Sequence, residues 1–115
     1  MTESSIPIIS PAEAKAKLDS GEAASIDVRL PYTWAGDRIL GSINLPNLSI
    51  QFRQAEVPAE KELIFYGANT AKAEAAAKKA LELGYEKVAV IDGGFDAWLD
   101  AGMPSESITG TPASS

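Results

Sequence analysis

Cysteine and histidine are both absent from this 115-residue sequence. With no thiol there is no disulfide, no cysteine nucleophile and no thiolate metal site. With no imidazole, the commonest general base and the commonest metal ligand are missing too. No metal centre and no cofactor is expected on these grounds. Basic residues are in the minority, 10 Lys and Arg against 16 Asp and Glu, for a formal charge of −6. That balance argues against nucleic acid as a partner, because such binding needs basic patches. Long apolar runs are lacking as well. None approaches the roughly 20 residues that span a bilayer, so no membrane partner is expected. Residues 1–5 carry neither a basic nor an apolar region. A secretory signal is therefore not expected, and a cytoplasmic location is. Neither GxGxxG nor GxxxxGK[ST] occurs, so no nucleotide motif is present.

What is present suits one globular domain: 45% hydrophobic and 23% charged residues, an ordinary composition for a chain of this length. The chain is organised around residues 63–84. An apolar run, Leu63-Ile64-Phe65-Tyr66, leads into Gly67-Ala68-Asn69-Thr70-Ala71, which fits neither strand nor helix. An alanine-rich helix is predicted from about Lys72 to Leu83, with Ala73, Ala76, Ala77, Ala80 and Leu83 on one narrow face. Gly84 ends it.

Other elements follow the same alternation. Residues 6–9 predict a short strand. Ser10-Pro11-Ala12-Glu13 predicts a capped helix start, with Ala14 and Leu18 facing inward as far as Asp19. Strands are predicted at 24–28, 42–45 and 88–91. Pro31 opens a short helical turn, residues 47–55 predict a short helix with Ile50 and either Phe52 or Leu48 turned inward, and 95–100 predict another helix. Trp34 and Trp98 are expected in the core. The domain is expected to cover 1–104, with a flexible Ser/Thr/Gly/Pro-rich tail at 105–115. Apolar strands alternating with helices predict an α/β fold: a parallel sheet covered on both faces. Sites in such sheets form at the carboxyl ends of the strands. Here those ends hold Asp27-Val28-Arg29, Asn44-Leu45-Pro46, Tyr66-Gly67 and Asp92-Gly93-Gly94.

Three segments carry a resemblance to a known family. Residues 27–46 begin Asp27-Val28-Arg29-Leu30-Pro31 and end Asn44-Leu45-Pro46, similar to DVRxPxE(Y/F)xxGHIxGAxNIP. Residues 63–85 are similar to VVYCxxGxRSxxAAxxLxxxGY. Residues 88–104, with Asp92-Gly93-Gly94-Phe95-Asp96-Ala97-Trp98 and Ala101-Gly102-Met103-Pro104, are similar to LxGGxxAWxxAGxP. The chain thus resembles the single-domain rhodaneses, the thiosulfate sulfurtransferase-like family, over about residues 8–104. The resemblance implies a three-layer rhodanese-like domain with about five parallel strands and helices on both faces.

The departures fall at the strand ends. The family's catalytic cysteine, which takes up a sulfane sulfur as a persulfide, falls on Gly67. Thr70 stands where the family often has Gly, Ala73 where it has Ser, and Thr33 where a Glu is common. Asp37-Arg38 stands for Gly-His, while Lys72 keeps a cation by the loop. No catalytic residue is therefore assigned, and a Thr70 nucleophile would lack a base. Gly67, Ala68, Asn69, Thr70, Ala71, Lys72 and Ala73 form the candidate anion-binding loop, a ring of backbone N–H groups at a helix N-terminus. The floor of that ring is expected to be roomier without the cysteine. Asp27 and Arg29 are supporting residues: Asp27 to satisfy loop donors, Arg29 to bridge to an acidic neighbour. Lys72 reads either as a solvated lysine or as an anion ligand.

The expected function is a rhodanese-like binding or regulatory module without the nucleophile. Its expected partner is a protein or a small oxyanion such as sulfate, thiosulfate or phosphate. The alternative is a sulfurtransferase whose cysteine has been replaced at position 67, naturally or by design.

Overall fold

Strand β1 (Ile8–Ile9) opens the described part of the chain, and helix α1 (Pro11–Asp19), β2 (Ala23–Asp27), α2 (Pro31–Gly36), β3 (Arg38–Ile39) and β4 (Ile43–Asn44) follow. Two 3-10 turns, Ser49–Phe52 and Gln54–Glu56, lead to β5 (Glu62–Tyr66), α3 (Thr70–Glu82), β6 (Val88–Ile91), α4 (Gly94–Asp100) and β7 (Ser105–Glu106). This is a computed structural model, and it describes residues 6–107. Five strands form one sheet in the order β1-β6-β5-β2-β4, with every neighbouring pair parallel. The expected parallel α/β architecture is therefore the architecture observed.

Side-chain alternation along the strands builds two cores, one on each face. Leu63, Phe65, Val88 and Val90 face α3, together with Ile26 and Val28. Ile64, Tyr66, Ala89 and Ile91 face the other way, against Ala14 of α1 and Phe95 and Trp98 of α4. The result is three layers, with α3 on one side and α1 and α4 on the other. Residues 63–66 and 88–91 are all buried, which is why both runs are apolar at every position.

Local signals explain the helices that position the site. Ser10 caps α1, its Oγ accepting the Glu13 N–H at 3.1 Å, and Pro11 sits where no intrahelical N–H is needed. Helix α3 buries Ala73, Ala76, Ala77 and Ala80 against the sheet. Methyl-sized side chains bring its backbone close, and a larger residue there would overpack at a cost of about 1–3 kcal/mol.

Several expectations are corrected. Helix α3 begins at Thr70, two residues before Lys72, because Asn69 caps it: its side chain accepts the Lys72 N–H at 2.9 Å. The helix expected over 47–55 is a pair of 3-10 turns. Ile50 is buried there, but Phe52 is 82% exposed and Leu48 is also exposed. Trp98 is core, whereas Trp34 is only half-buried, lying under the Arg38 guanidinium. The flexible tail expected from 105 starts instead in β7, which pairs antiparallel with β3 through Arg38–Glu106 and Ile39–Ser105. Residues 108–115 of that expected tail lie outside the described residues. Among the described residues, no helix is long and apolar enough to cross a membrane.

Candidate functional site

Gly67 follows the carboxyl end of β5, a central strand flanked by β2 and β6. It is buried, as is its neighbour across the strand ends, Val28. Val28 donates its N–H to the Tyr66 carbonyl at 2.9 Å, which locks the two strand ends in register. A β-carbon built on Gly67 would stand 2.9 Å from Val28 Cγ2 and 3.7 Å from both Lys72 Cβ and the Asn69 carbonyl oxygen. Real β-carbons do not approach a methyl that closely, and valine is stiff at χ1. The roomy floor expected in place of the cysteine is therefore corrected: the Val28 methyl fills it.

Because α3 starts at Thr70, the connection from strand to helix is only Gly67, Ala68 and Asn69. Ala68, Asn69, Ala71 and Lys72 are exposed, Thr70 is half-buried, and Ala73 lies fully buried in the core facing α3. The Lys72 N–H belongs to the Asn69 cap. Ala68, Asn69, Thr70 and Ala71 donate none of the backbone hydrogen bonds found outside regular elements among the described residues.

The start of α4 holds this connection from behind. The Phe95 N–H donates to the Gly67 carbonyl at 3.0 Å, and the Gly93 N–H donates to Thr70 Oγ1 at 2.8 Å. The Thr70 hydroxyl thus ties α3 to the turn before α4. Gly94 presses on the same carbonyl, so both members of the Gly93-Gly94 pair are positional. They take φ values of 82° and 69°, in the left-handed region that glycine adopts without strain.

At the same ends of β2 and β5 lies a buried polar group. The Asp27 carboxylate is fully buried and accepts from the Arg29 backbone N–H at 2.9 Å, from Nε at 3.0 Å and from Nη2 at 2.6 Å. Arg29 also donates from Nη2 to the Asp37 carbonyl at 2.6 Å. Its guanidinium lies 4.4 Å from the centre of the Phe95 ring and 5.6 Å from that of Tyr66. Burial works against the Arg29 charge, but Asp27 outweighs it and holds the guanidinium more firmly protonated than usual. Asp27 thus accepts a loop N–H, and Arg29 bridges to it. Tyr66 completes the group. Its hydroxyl donates to Ser42 Oγ at 2.9 Å and accepts the Ile39 N–H at 3.0 Å. Burial, and then the nearby Asp27 charge, push this phenol well above the ordinary tyrosine range.

Sequence reasoning brought Gly67, Thr70, Lys72, Asp27 and Arg29 to one end of the sheet, and the fold places them there. It named Val28, Tyr66 and Gly94 at those strand ends but gave them no part in shaping the site. The Gly93-Gly94 pair was the available signal, since two adjacent glycines before a helix mark a close backbone approach as well as a turn.

This end of the sheet presents the N–H groups of Ala68 to Ala71 and the exposed Lys72 beside the Val28 methyl, and the Asp27 carboxylate is already engaged by Arg29.

Comparison with known proteins agrees with this architecture. The family described as "Rhodanese-like domain" matches residues 10–101. The thiosulfate sulfurtransferase GlpE of Pseudomonas fluorescens is 34% identical over 106 residues, covering 90% of this chain and 94% of that protein. A sulfurtransferase of Allochromatium vinosum is 28% identical over 86 residues, covering 75% of this chain and 80% of that protein. The solution structure of the rhodanese-like domain of Alr3790 from Anabaena sp. superposes with a TM-score of 0.80 at 25% identity, covering 95% of this chain and 86% of that one. On sequence and on fold, the chain belongs to the rhodanese-like family.

Proposed function

We propose that this rhodanese-like chain carries no sulfur covalently and works as a binding or regulatory module, with the segment Gly67–Ala73 retained as a weak oxyanion site. The observation that carries the reading is the 2.9 Å between Val28 Cγ2 and the place a β-carbon on Gly67 would occupy. A glycine that merely replaced a cysteine would leave room for the lost side chain. Here the neighbouring valine has taken that space.

Oxyanion recognition draws on Ala68, Asn69, Thr70 and Ala71, whose N–H groups donate none of the non-regular backbone hydrogen bonds among the described residues, and on the exposed Lys72 beside them. An anion at an exposed helix N-terminus gains about 0.3–1 kcal/mol per favourable charge, well short of the roughly 4.1 kcal/mol behind a millimolar Kd, so binding is expected to be weaker than millimolar. The Asn69 cap already uses the Lys72 N–H, which lowers that expectation further.

Two measurements test the proposal. Purified protein should move sulfur from thiosulfate to cyanide no faster than a protein-free control. Titration with sulfate should shift NMR amides confined to Ala68–Ala71, and Lys72→Ala should reduce the shifts. Turnover above control defeats the non-catalytic reading, and unlocalised shifts defeat the oxyanion reading.

The relatives' sulfurtransferase names favour a second reading, in which only the cysteine is missing. Gly67→Cys separates the two. Under the second reading that variant alone transfers sulfur. Under ours it also needs Val28→Ala to make room.

A further inference from the structure

The described chain ends in a contact that the fold does not need for its main sheet. Among the described residues, strand β7 pairs only with β3, as a separate two-stranded ladder of two residues on each side. Such a ladder is marginal by itself, so the side chains decide whether it stays closed. Glu106 Oε2 accepts from Arg38 Nε at 3.1 Å and from the Gly41 backbone N–H at 3.0 Å. The Arg38 guanidinium lies over the Trp34 ring at 4.2 Å, and its Nη1 is buried with no hydrogen-bond partner among the described residues. Glu106 is the carboxylate that answers this cation.

From β3 the contacts run straight to the candidate site. Ile39, which faces Ser105 across the ladder, donates its N–H to the Tyr66 hydroxyl at 3.0 Å. Tyr66 is the residue before Gly67. Asp37, on the other side of Arg38, gives its carbonyl to Arg29 Nη2 at 2.6 Å. Ser42, at the far end of the same segment, accepts from both the Tyr66 hydroxyl and Trp34 Nε1. Residues 37–42 therefore hold the Arg29 guanidinium and the phenol of Tyr66, the residue that leads into the 67–69 connection, and β7 holds residues 38–41.

We propose that the β3–β7 pair is a clasp that couples the C-terminal segment to the Gly67 site, with Glu106 as its positioning residue. When Glu106 is seated, the Ile39 N–H is fixed on Tyr66 and the connection above it keeps one geometry. When Glu106 is displaced, segment 37–42 loosens and the connection that follows Tyr66 moves with it. The coupling holds whatever the site binds. It rests on the proposed function only for the idea that a ligand there would be regulated.

Full-length Glu106→Lys, which sets two cations against each other, and Glu106→Gln, which keeps the shape without the charge, test the clasp by amide exchange and chemical shift. Gly41 and Ile39 should exchange at least tenfold faster in Glu106→Lys and to an intermediate degree in Glu106→Gln. The Gly67 and Ala68 amides should shift in the same order, while Val90 in the central sheet keeps its protection. Faster exchange at Gly41 and Ile39 with unmoved Gly67 and Ala68 would reduce the clasp to a tied end. Unchanged exchange at Gly41 would remove Glu106 from the role. If Glu106→Lys also strips protection from Val90, the neutral Glu106→Gln carries the comparison. No anion is added, so failure here is distinct from failure of the sulfate titration.

Discussion

Gly94 sits against the backbone of Gly67 so closely that a β-carbon at 94 would come within 2.5 Å of the Gly67 carbonyl oxygen and 3.0 Å of the Ala68 carbonyl group. The turn before α4 and the connection after β5 are thus fitted together through two glycines. The Phe95 N–H bond to the Gly67 carbonyl runs across the same contact.

Gly94→Ala tests this fit. The residue has φ +69°, where a β-carbon alone costs about 1–2 kcal/mol. The backbone clash adds to that, for a total loss of roughly 2–4 kcal/mol. Gly21→Ala is the control, with φ +82° and nothing within 4 Å of the added atom. Urea midpoints should separate the two variants, and only Gly94→Ala should move the Gly67 and Ala68 amide resonances. An equal loss at both positions would mean that the carbonyl contact carries no weight.

Breaking the Asp27–Arg29 pair should be expensive. The two side chains are 0% and 9% exposed. Asp27→Asn leaves the Arg29 guanidinium buried beside a neutral amide, a loss of about 3–5 kcal/mol. Glu56→Gln breaks an exposed pair with Arg53 at 2.7 Å and should leave the unfolding temperature nearly unchanged, because water screens the pair. Thermal unfolding of both variants checks the contrast. A small loss at Asp27 would show that water reaches the pair.

Much of this was legible in the sequence because the signals were local and repeated. The Ser10-Pro11-Ala12-Glu13 start gave the α1 cap, and the spacing of Ala73, Ala76, Ala77 and Ala80 gave the buried face of α3. Apolar runs without alternation gave β5 and β6 as strands covered on both faces. What was not legible depends on partners distant in sequence. Ser105–Glu106 forms a strand only because Arg38–Ile39 lies alongside, and two residues after a proline carry no periodicity. Trp34 was expected inside, but it stacks with Arg38 at the rim, a contact that spacing does not encode. Asn69 looks like loop in the sequence, yet its side chain is the α3 cap, so the candidate loop reaches too far at its helical end. The closing of the site by Val28 required two neighbouring strand ends in known register, which one sequence does not supply.

Alkaline pH should reveal Tyr66. Its phenol is pushed upward by burial first and by the Asp27 charge second. In the unfolded chain a tyrosine loses its proton near pH 10. The folded state therefore keeps a proton that the unfolded state gives up. The stability this group contributes is complete below about pH 10 and declines as pH rises above it toward the raised folded value. Over that range the decline approaches about 1.4 kcal/mol per pH unit for one such group. Tyr66→Phe removes the titrating group. At neutral pH it should cost about 1–3 kcal/mol, because the Ile39 N–H loses its buried acceptor and Ser42 loses a donor. Urea midpoints from pH 8 to pH 11.5 should then fall more steeply for the unaltered protein than for Tyr66→Phe, with the two curves converging at the alkaline end. The lysines titrate in both proteins and cancel in the difference. Parallel curves would show that Tyr66 ionises in the folded state as readily as in water. The buried bridge from Ile39 to Ser42 would then be looser than its 3.0 Å and 2.9 Å hydrogen bonds indicate.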